Sequence, residues 1–362
     1  MMATVEVSVD VDVLKADMRI KNRIVFERNG KTFFICKDVL LTDEFIEKIK
    51  KIIAPVTSVY ISFEDYKRLF VDIEESPYET PYKYVKFETS NMFEDIGAGS
   101  HTSSFVADNI TGTVREHVKS IDLSLIIQSI NGIRSADEYI VTHSTNVALL
   151  NGIMGKQLNY DDNKLYAVIK TGLLHDIGML KVPQSIVNKP GRLKVSEFDI
   201  IKKHVVFSRD MLVEINEKDD RILDGVLQHH ERENGTGYLH GLNSSEICEF
   251  AKITAIADAY DAMITKRIYR DFLSPFKILH NFSRGAYSEL DIKYVRIFVE
   301  CMRTELQGKY VLMSDGTIAR ICLVLQDDLM YPIVQIGNMV IHTSPELYCI
   351  SMYNGEDSND TN

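Results

Sequence analysis

The chain has 362 residues, more than one ordinary core accommodates, so two or three domains are expected. Its net charge of −11, from 41 Lys and Arg against 52 Asp and Glu, argues against a nucleic-acid polymer as partner, because phosphate backbones demand clustered cations. A small anionic ligand needs only a local basic patch and stays compatible. A hydrophobic fraction of 45% with 26% charged residues marks a soluble globular protein. No apolar run is long enough for a transmembrane helix, and the N-terminus shows no basic segment followed by an apolar core. Cys36, Cys248, Cys301, Cys322 and Cys349 are scattered without a paired spacing, which fits buried thiols in a reducing cytoplasm better than a disulfide frame.

In chain order, Val5, Val7, Val9, Val11 and Val13 alternate with polar residues and predict a strand. Asn29-Gly30 between two apolar runs predicts a hairpin. A short helix is expected after Thr42, with Phe45, Ile46 and Ile49 on one face, and a strand over Ser58 to Phe63. Residues 1–73 therefore form a small α+β module carrying no visible chemistry. Residues 74–111, polar and punctuated by Pro77, Pro81 and Gly97-Ala98-Gly99, are expected to be a linker or irregular arm. From 112 to 305 the apolar period is helical: Val147, Leu150, Met154 and Leu158, then Leu165, Val168, Ile169 and Gly172, then Phe198, Ile201, Val205 and Leu212. An all-α central bundle is expected there. Strand patterning returns at 306–354, with Ser314-Asp315-Gly316 as a hairpin turn, and 355–362 is expected to be disordered.

Chemistry concentrates in the helical part. His175-Asp176 precedes Ile177-Gly178, and His229-His230 precedes the glycine-rich Gly235-Thr-Gly-Tyr-Leu-His-Gly241. Imidazoles with a carboxylate are the ligand set of divalent-metal hydrolases, and one carboxylate can span two ions. Asp258 sits among Ala255, Ile256, Ala257, Ala259 and Met263, where an unpaired carboxylate is costly. Asp261, on the same helix, is expected to support a ligand or to cap the helix rather than be a ligand. His101, His117, His240, His280 and His342 carry no such context.

Several segments together resemble the HD-GYP branch of the HD superfamily, whose members hydrolyse cyclic di-GMP. They are Tyr139 to Val147, His175-Asp176, Lys189-Pro190-Gly191, His204, His229-His230, Gly237-Tyr238-Leu239, Ile256 to Met263 and Arg267 to Arg270, in order over about half the chain. The resemblance implies an HD-type helical bundle with two divalent metals, Fe or Mn. His143, His175, Asp176 and Asp258 would hold one. Asp176, the catalytic carboxylate, would bridge to a second held by His204, His229 and His230, with a hydroxide between the ions as nucleophile. It also implies Arg267 and Arg270 as substrate arginines, while the glycine-rich loop, which can turn sharply near a ligand, leaves Tyr238 to stack on or hydrogen-bond substrate.

Three departures qualify the resemblance. Tyr139 stands where some members have a glutamate and a third metal, so two metals are expected. Leu239 replaces the proline of Gly-Tyr-Pro and loosens that loop without removing a ligand. Met179 replaces a lysine that reaches substrate phosphate, and Lys181 could compensate only if turned inward. The leading reading is a phosphodiesterase producing pGpG, with a further step to GMP left open. The alternatives are a catalytically weak cyclic-dinucleotide receptor or scaffold, and a hydrolase of another nucleotide such as cyclic GMP-AMP. The flanking modules leave open a homodimer contact or a signalling-protein partner.

Overall fold

The structure, a computed structural model, describes residues 6–10, 19–20, 24–28, 31–35, 39–41, 46, 58–62, 80–97, 103–118, 136–189, 191–264 and 274–353. Two compact units result, Met1–Thr80 and Pro81–Asn362. In the first, strands β1 (Glu6–Asp10), β2 (Arg19–Ile20), β5 (Val39–Leu40) and β6 (Ser58–Ser62) form an antiparallel sheet in the order β1-β6-β2-β5. Strands β3 (Ile24–Arg28) and β4 (Lys31–Ile35) pair as the expected hairpin, with Ile24 opposite Ile35. Of the helix expected after Thr42, only Ile46 lies among the described residues.

The second unit is mostly helical. Its helices are α1 (Thr80–Gly97), α2 (Ser103–Val118), α3 (Ala136–Gln157), α4 (Asp162–Leu174), α5 (Gln184–Val187), α6 (Val195–Ile201), α7 (His204–Glu214), α8 (Asp220–Gln228), α9 (Glu249–Ile264), α10 (Pro275–Ser283) and α11 (Ile292–Leu306). A 3-10 turn, Ile177–Lys181, follows α4. Helix α3 is buried from Ile140 to Gly155, including the polar Thr142 to Asn146, and it packs against α4, α9 and α2. Asp161, Asp219 and Asp291 cap α4, α8 and α11 by accepting backbone N–H bonds from Lys164, Arg221 and Lys293. Lys170 of α4 is buried but paired, its Nζ lying 2.7 Å from Asp108 Oδ1 and 2.5 Å from Glu217 Oε2.

Strands β7 (Tyr310–Met313), β8 (Ile318–Leu323), β9 (Ile333–Ile336), β10 (Met339–His342) and β11 (Cys349–Met352) close the unit as an antiparallel sheet in the order β10-β9-β8-β7-β11. The β7–β8 turn falls at the predicted Ser314-Asp315-Gly316, with Gly316 at φ +83° and the Asp315 carboxylate accepting from Thr317 N at 2.9 Å. One face of this sheet buries Val311, Met313, Ala319, Ile321 and Val334.

Two expectations are corrected. Within the stretch expected as an irregular arm, α1 and α2 are full helices, and from Pro81 they belong to the helical unit. Proline breaks a helix interior, yet it is at home in a first helical turn, where Pro81 stands. Tyr82, Val85, Thr89, Met92 and Phe93 make a buried stripe at helical spacing that the polar residues between them conceal. Phe198, assigned by period to a core stripe, is 43% exposed. The tail at 355–362 lies outside the described residues.

Burial, reinforced by Asp95, raises the Glu88 carboxyl of α1 from 4.5 to about 7. The neutral form therefore belongs to the fold. Below pH 4.5 both folded and unfolded chains carry it, and stability is lost as pH rises from there towards 7. Glu88→Gln should be nearly neutral at pH 5 and stabilising by about 2–3 kcal/mol at pH 8. Urea unfolding at the two pH values checks this; equal effects at both would disprove it.

Candidate metal centre

Seven side chains from five places in the chain converge in the helical unit. His143 comes from the middle of α3, His175 and Asp176 from the end of α4, and His204 from the start of α7. His229 and His230 follow α8, and Asp258 comes from α9. Their ligand atoms form two groups, His143, His175 and Asp258 in one and Asp176, His204, His229 and His230 in the other. His143, His175, His204 and His229 are all nearly or wholly buried.

Helix ends explain how the imidazoles are aimed. The last carbonyls of a helix lack intrahelical donors. His175 Nδ1 lies 2.8 Å from Gly172 O at the end of α4, and His229 Nδ1 lies 2.7 Å from Val226 O at the end of α8. His204 Nδ1 lies 2.7 Å from Ile201 O, the last residue of α6. In each case Nδ1–H donates to a freed carbonyl, which leaves the Nε2 lone pair directed inward. His143, in mid-helix, uses a carboxylate instead: its Nδ1 donates to Asp261 Oδ2 at 2.7 Å. That is the supporting role expected for Asp261, and such partners fix both ring orientation and tautomer of a metal-binding histidine.

Asp176 stands between the groups. Its Oδ1 lies 3.1 Å from His204 Nε2 and 3.6 Å from His229 Nε2, while Oδ2 lies 3.6 Å from His175 Nε2 and 3.8 Å from His143 Nε2. Oδ1 is buried and receives no well-formed hydrogen bond. Asp258 Oδ1 lies 3.2 Å from His143 Nε2, and its Oδ2 lies 4.0 Å from His230 Nδ1. His143 and His175 face each other through Nε2 atoms 3.3 Å apart, as do His204 and His229 at 3.5 Å. Acceptors crowded this closely in a buried place require positive charge among them. Divalent metal ions suit this mixed imidazole and carboxylate set.

Electrostatics agree. Burial pushes His175 down to about 4, so it is neutral and able to donate a lone pair. Burial, aided by His229, likewise holds His230 well below its ordinary value. Burial opposes charge on His143 too, but Tyr139, Asp258 and Asp261 outweigh it and raise that imidazole well above 6.5. Against the same opposition, Asp176 raises His204. Each group thus contains one imidazole of raised proton affinity. Against burial, the surrounding histidines hold the carboxyls of Asp176 and Asp258 well below the usual range.

Two glycines permit this convergence. A Cβ on Gly178 would sit 2.1 Å from His204 O and 2.4 Å from Ser208 N, so only glycine lets the 3-10 turn lie against α7. Ser208 rivets that contact, accepting from Gly178 N at 2.8 Å and donating to His175 O at 2.9 Å. A Cβ on Gly237 would meet Arg232 N at 2.4 Å. That close return folds the loop over the site, where Tyr238 stacks on His230 with ring centroids 4.6 Å apart. Burial raises the Tyr238 phenol, which stays protonated. Buried Glu231 anchors the loop by accepting from His240 N at 2.6 Å and Leu242 N at 2.9 Å.

All seven expected ligand residues are brought together, and Tyr238 lies against them. Lys181 is not: it is exposed and 3.8 Å from Glu214, at the opposite end of α7 from His204 and about 15 Å along it. Arg267 and Arg270 lie outside the described residues. Tyr139 stacks on His143 with centroids 5.4 Å apart. His240, His280 and His342 belong to neither group. Sequence reasoning missed Asn146, Ser208 and Glu231; only Glu231, adjoining the His-His pair, offered a local signal.

Comparison with known proteins places this geometry. Residues 129–291 match the family model of the HD domain. These residues are similar to an HD domain. The chain is 31% identical over 233 residues to the cyclic di-GMP phosphodiesterase PA4108 of Pseudomonas aeruginosa, covering 63% of this chain and 54% of that one. It is 32% identical over 158 residues to the 3'3'-cGAMP-specific phosphodiesterase 1 of Vibrio cholerae, covering 44% and 36%. A cyclic di-GMP phosphodiesterase of Thermotoga maritima is 33% identical over 130 residues, covering 36% and 35%. The chain thus spans about half or less of the length of these relatives. The solved structure of Bd1817, an HDG"Y"P protein from Bdellovibrio bacteriovorus, shares the fold with TM-score 0.51 at 18% identity, covering 82% of this chain and 99% of that one. Among the described residues no helix is long and apolar enough to cross a membrane.

The packing against Gly178 gives the site a specific vulnerability. Gly178→Ala should leave the helical circular dichroism largely intact while displacing His204. Bound Mn after dialysis, measured by elemental analysis, should reflect an affinity about 10–100-fold weaker. Unchanged metal content would show that the contact does not set the site.

Proposed function

We propose that this chain is a metal-dependent phosphodiesterase acting on cyclic dinucleotides, cyclic di-GMP foremost, which it linearises to pGpG and then to GMP. The observation that carries the reading is the divergence of the two Asp176 oxygens, one towards His204 and His229 and the other towards His143 and His175. On this reading His143, His175, Asp176 and Asp258 hold one ion, Asp176, His204, His229 and His230 hold the second, and Fe or Mn suits the donors. When bound, the ions supply positive charge for phosphate oxygens and a water acidified towards neutral pKa.

The chain's own residues do the rest. Asp176 holds the two halves of the site in register. The helix-end carbonyls take the Nδ1 protons of three histidines, and Asp261 takes that of His143 while adding negative charge behind it. Tyr238 closes one side with a protonated ring against His230. Arg267 and Arg270, three apart in an acidic chain, are the cations assigned to the substrate's phosphates, where a guanidinium fork matches phosphate oxygens.

The substrate's second base is the less constrained part of the reading. Relatives named for cyclic di-GMP and for 3'3'-cGAMP stand at similar identity. Met179 supplies no charge beside Asp176, and Lys181 pairs with Glu214. These two residues favour, as a second reading, a binding protein with weak turnover.

Anaerobic incubation of Mn- or Fe-loaded protein with cyclic di-GMP, and separately with 3'3'-cGAMP, tests all three. Linear products from wild type, none from Asp176→Ala, and loss of turnover with chelator are expected. Tight binding of intact cyclic di-GMP by fully metal-loaded wild type would support the receptor instead, and turnover of 3'3'-cGAMP alone would move the substrate. Because the His143 imidazole is raised well above its ordinary value, loading at pH 7 should also release protons. Calorimetric titration of Mn in buffers of different ionisation enthalpy measures that release, and a buffer-independent heat would contradict it.

A further inference from the structure

The buried polar network behind His143 does not stop at Asp261. Asp261 Oδ1 accepts from Asn146 Nδ2 at 2.7 Å, and Asn146 Oδ1 accepts from the Tyr82 hydroxyl at 2.9 Å. The side-chain amide has only one orientation that serves both contacts, because a carboxylate accepts and a hydroxyl must then donate. Asn146 and Asp261 are 0% exposed and Tyr82 8%, so no bulk water competes for these bonds. The chain of contacts runs from the first turn of α1, through α3 and α9, to a ring nitrogen of a residue in the metal centre.

We infer that Tyr82 and Asn146 are positioning residues for the metal held by His143, His175 and Asp258. The inference rests on the two-metal reading given above. With both oxygens engaged, the Asp261 carboxylate cannot rotate, and His143, bonded to Oδ2, cannot swing about its ring axis. Remove the donor at Oδ1 and a buried carboxylate oxygen loses a charge-assisted bond. Its plane turns to recover one, carrying His143 Nε2 off its line to the ion. Tyr82 acts one step further back by fixing the amide of Asn146. Among the described residues the other group is anchored differently: His204 and His229 are held by backbone carbonyls of α6 and α8. The effect is therefore confined to one of two ions.

Tyr82→Phe keeps the ring and deletes the hydroxyl, so it is the decisive variant, while Asn146→Ala is the stronger one. Mn binding to the full chain is titrated against a competing chelator, reading the affinity of each of two equivalents, with thermal unfolding recorded in parallel. Expected for Tyr82→Phe is one equivalent weakened about 3–10-fold with the other unchanged; for Asn146→Ala the same equivalent is weakened about 10–100-fold, the range for groups that orient a metal-binding histidine. In an Asp261→Asn background Tyr82→Phe should add nothing, since its path is already cut. Wild type binding two ions with Tyr82→Phe within twofold at both would overturn this inference and leave the two-metal reading standing. Equal weakening of both equivalents would reduce Tyr82 to a packing residue and overturn it as well. Wild type that binds no divalent metal would overturn both.

Discussion

Placing five imidazoles and two carboxylates inside a helical bundle is unfavourable unless something positive joins them, and the rest of the helical unit is arranged around that demand. Part of that demand shows in the raised proton affinity of His143 and His204, each facing a carboxylate. Helix ends supply the complementary constraint. Because α4, α6 and α8 all stop at the site, their unpaired terminal carbonyls take the Nδ1 protons of His175, His204 and His229 and leave every Nε2 facing the same interior. Backbone geometry, normally satisfied by solvent or caps, thus fixes which ring nitrogen of each histidine faces the site.

The long helices supply the frame. Helix α3 is buried over four turns, and α4 and α9 pack on it, so His143 and Asp258 cannot drift relative to His175. The turn after α4 is held against α7 by Gly178 and Ser208, which brings His204 within 3.1 Å of Asp176. The loop from Glu231 to Leu242 is tied by its own acid and closes over His230. Each tie is a few atoms wide. Together they place donors from distant parts of the chain within ångströms of one another.

The cluster of seven residues was legible because metal chemistry restricts residue type severely, and because His-Asp, His-His and a carboxylate on an apolar helix are each unusual. What sat behind the ligands was not. Asn146 and Ser208 are ordinary polar residues on helices, and no local pattern distinguishes a polar residue aimed at a buried acid from one aimed at water. Tyr82 was hidden further by the misjudged arm, since Pro81 looked like punctuation and α1 alternates its buried stripe with charged residues. The reverse error befell Phe198: its helical period was right and its exposure was not, because α6 is short and turns only part of its surface inward. Lys181 shows the same limit, since sequence proximity to Asp176 says nothing about the direction a 3-10 turn gives a side chain.

The three residues Gly237-Tyr238-Leu239 are not equal letters. At 237 any side chain collides with the backbone of Arg232, and at 238 the ring covers a histidine of the metal centre. Leu239, 40% exposed, has no comparable duty. The spelling of this motif is therefore strict in its first two positions and lax in its third. A pattern search that insists on proline there would pass over chains whose metal chemistry is built like this one, and the HD domains counted by that spelling would be fewer than those the architecture can support.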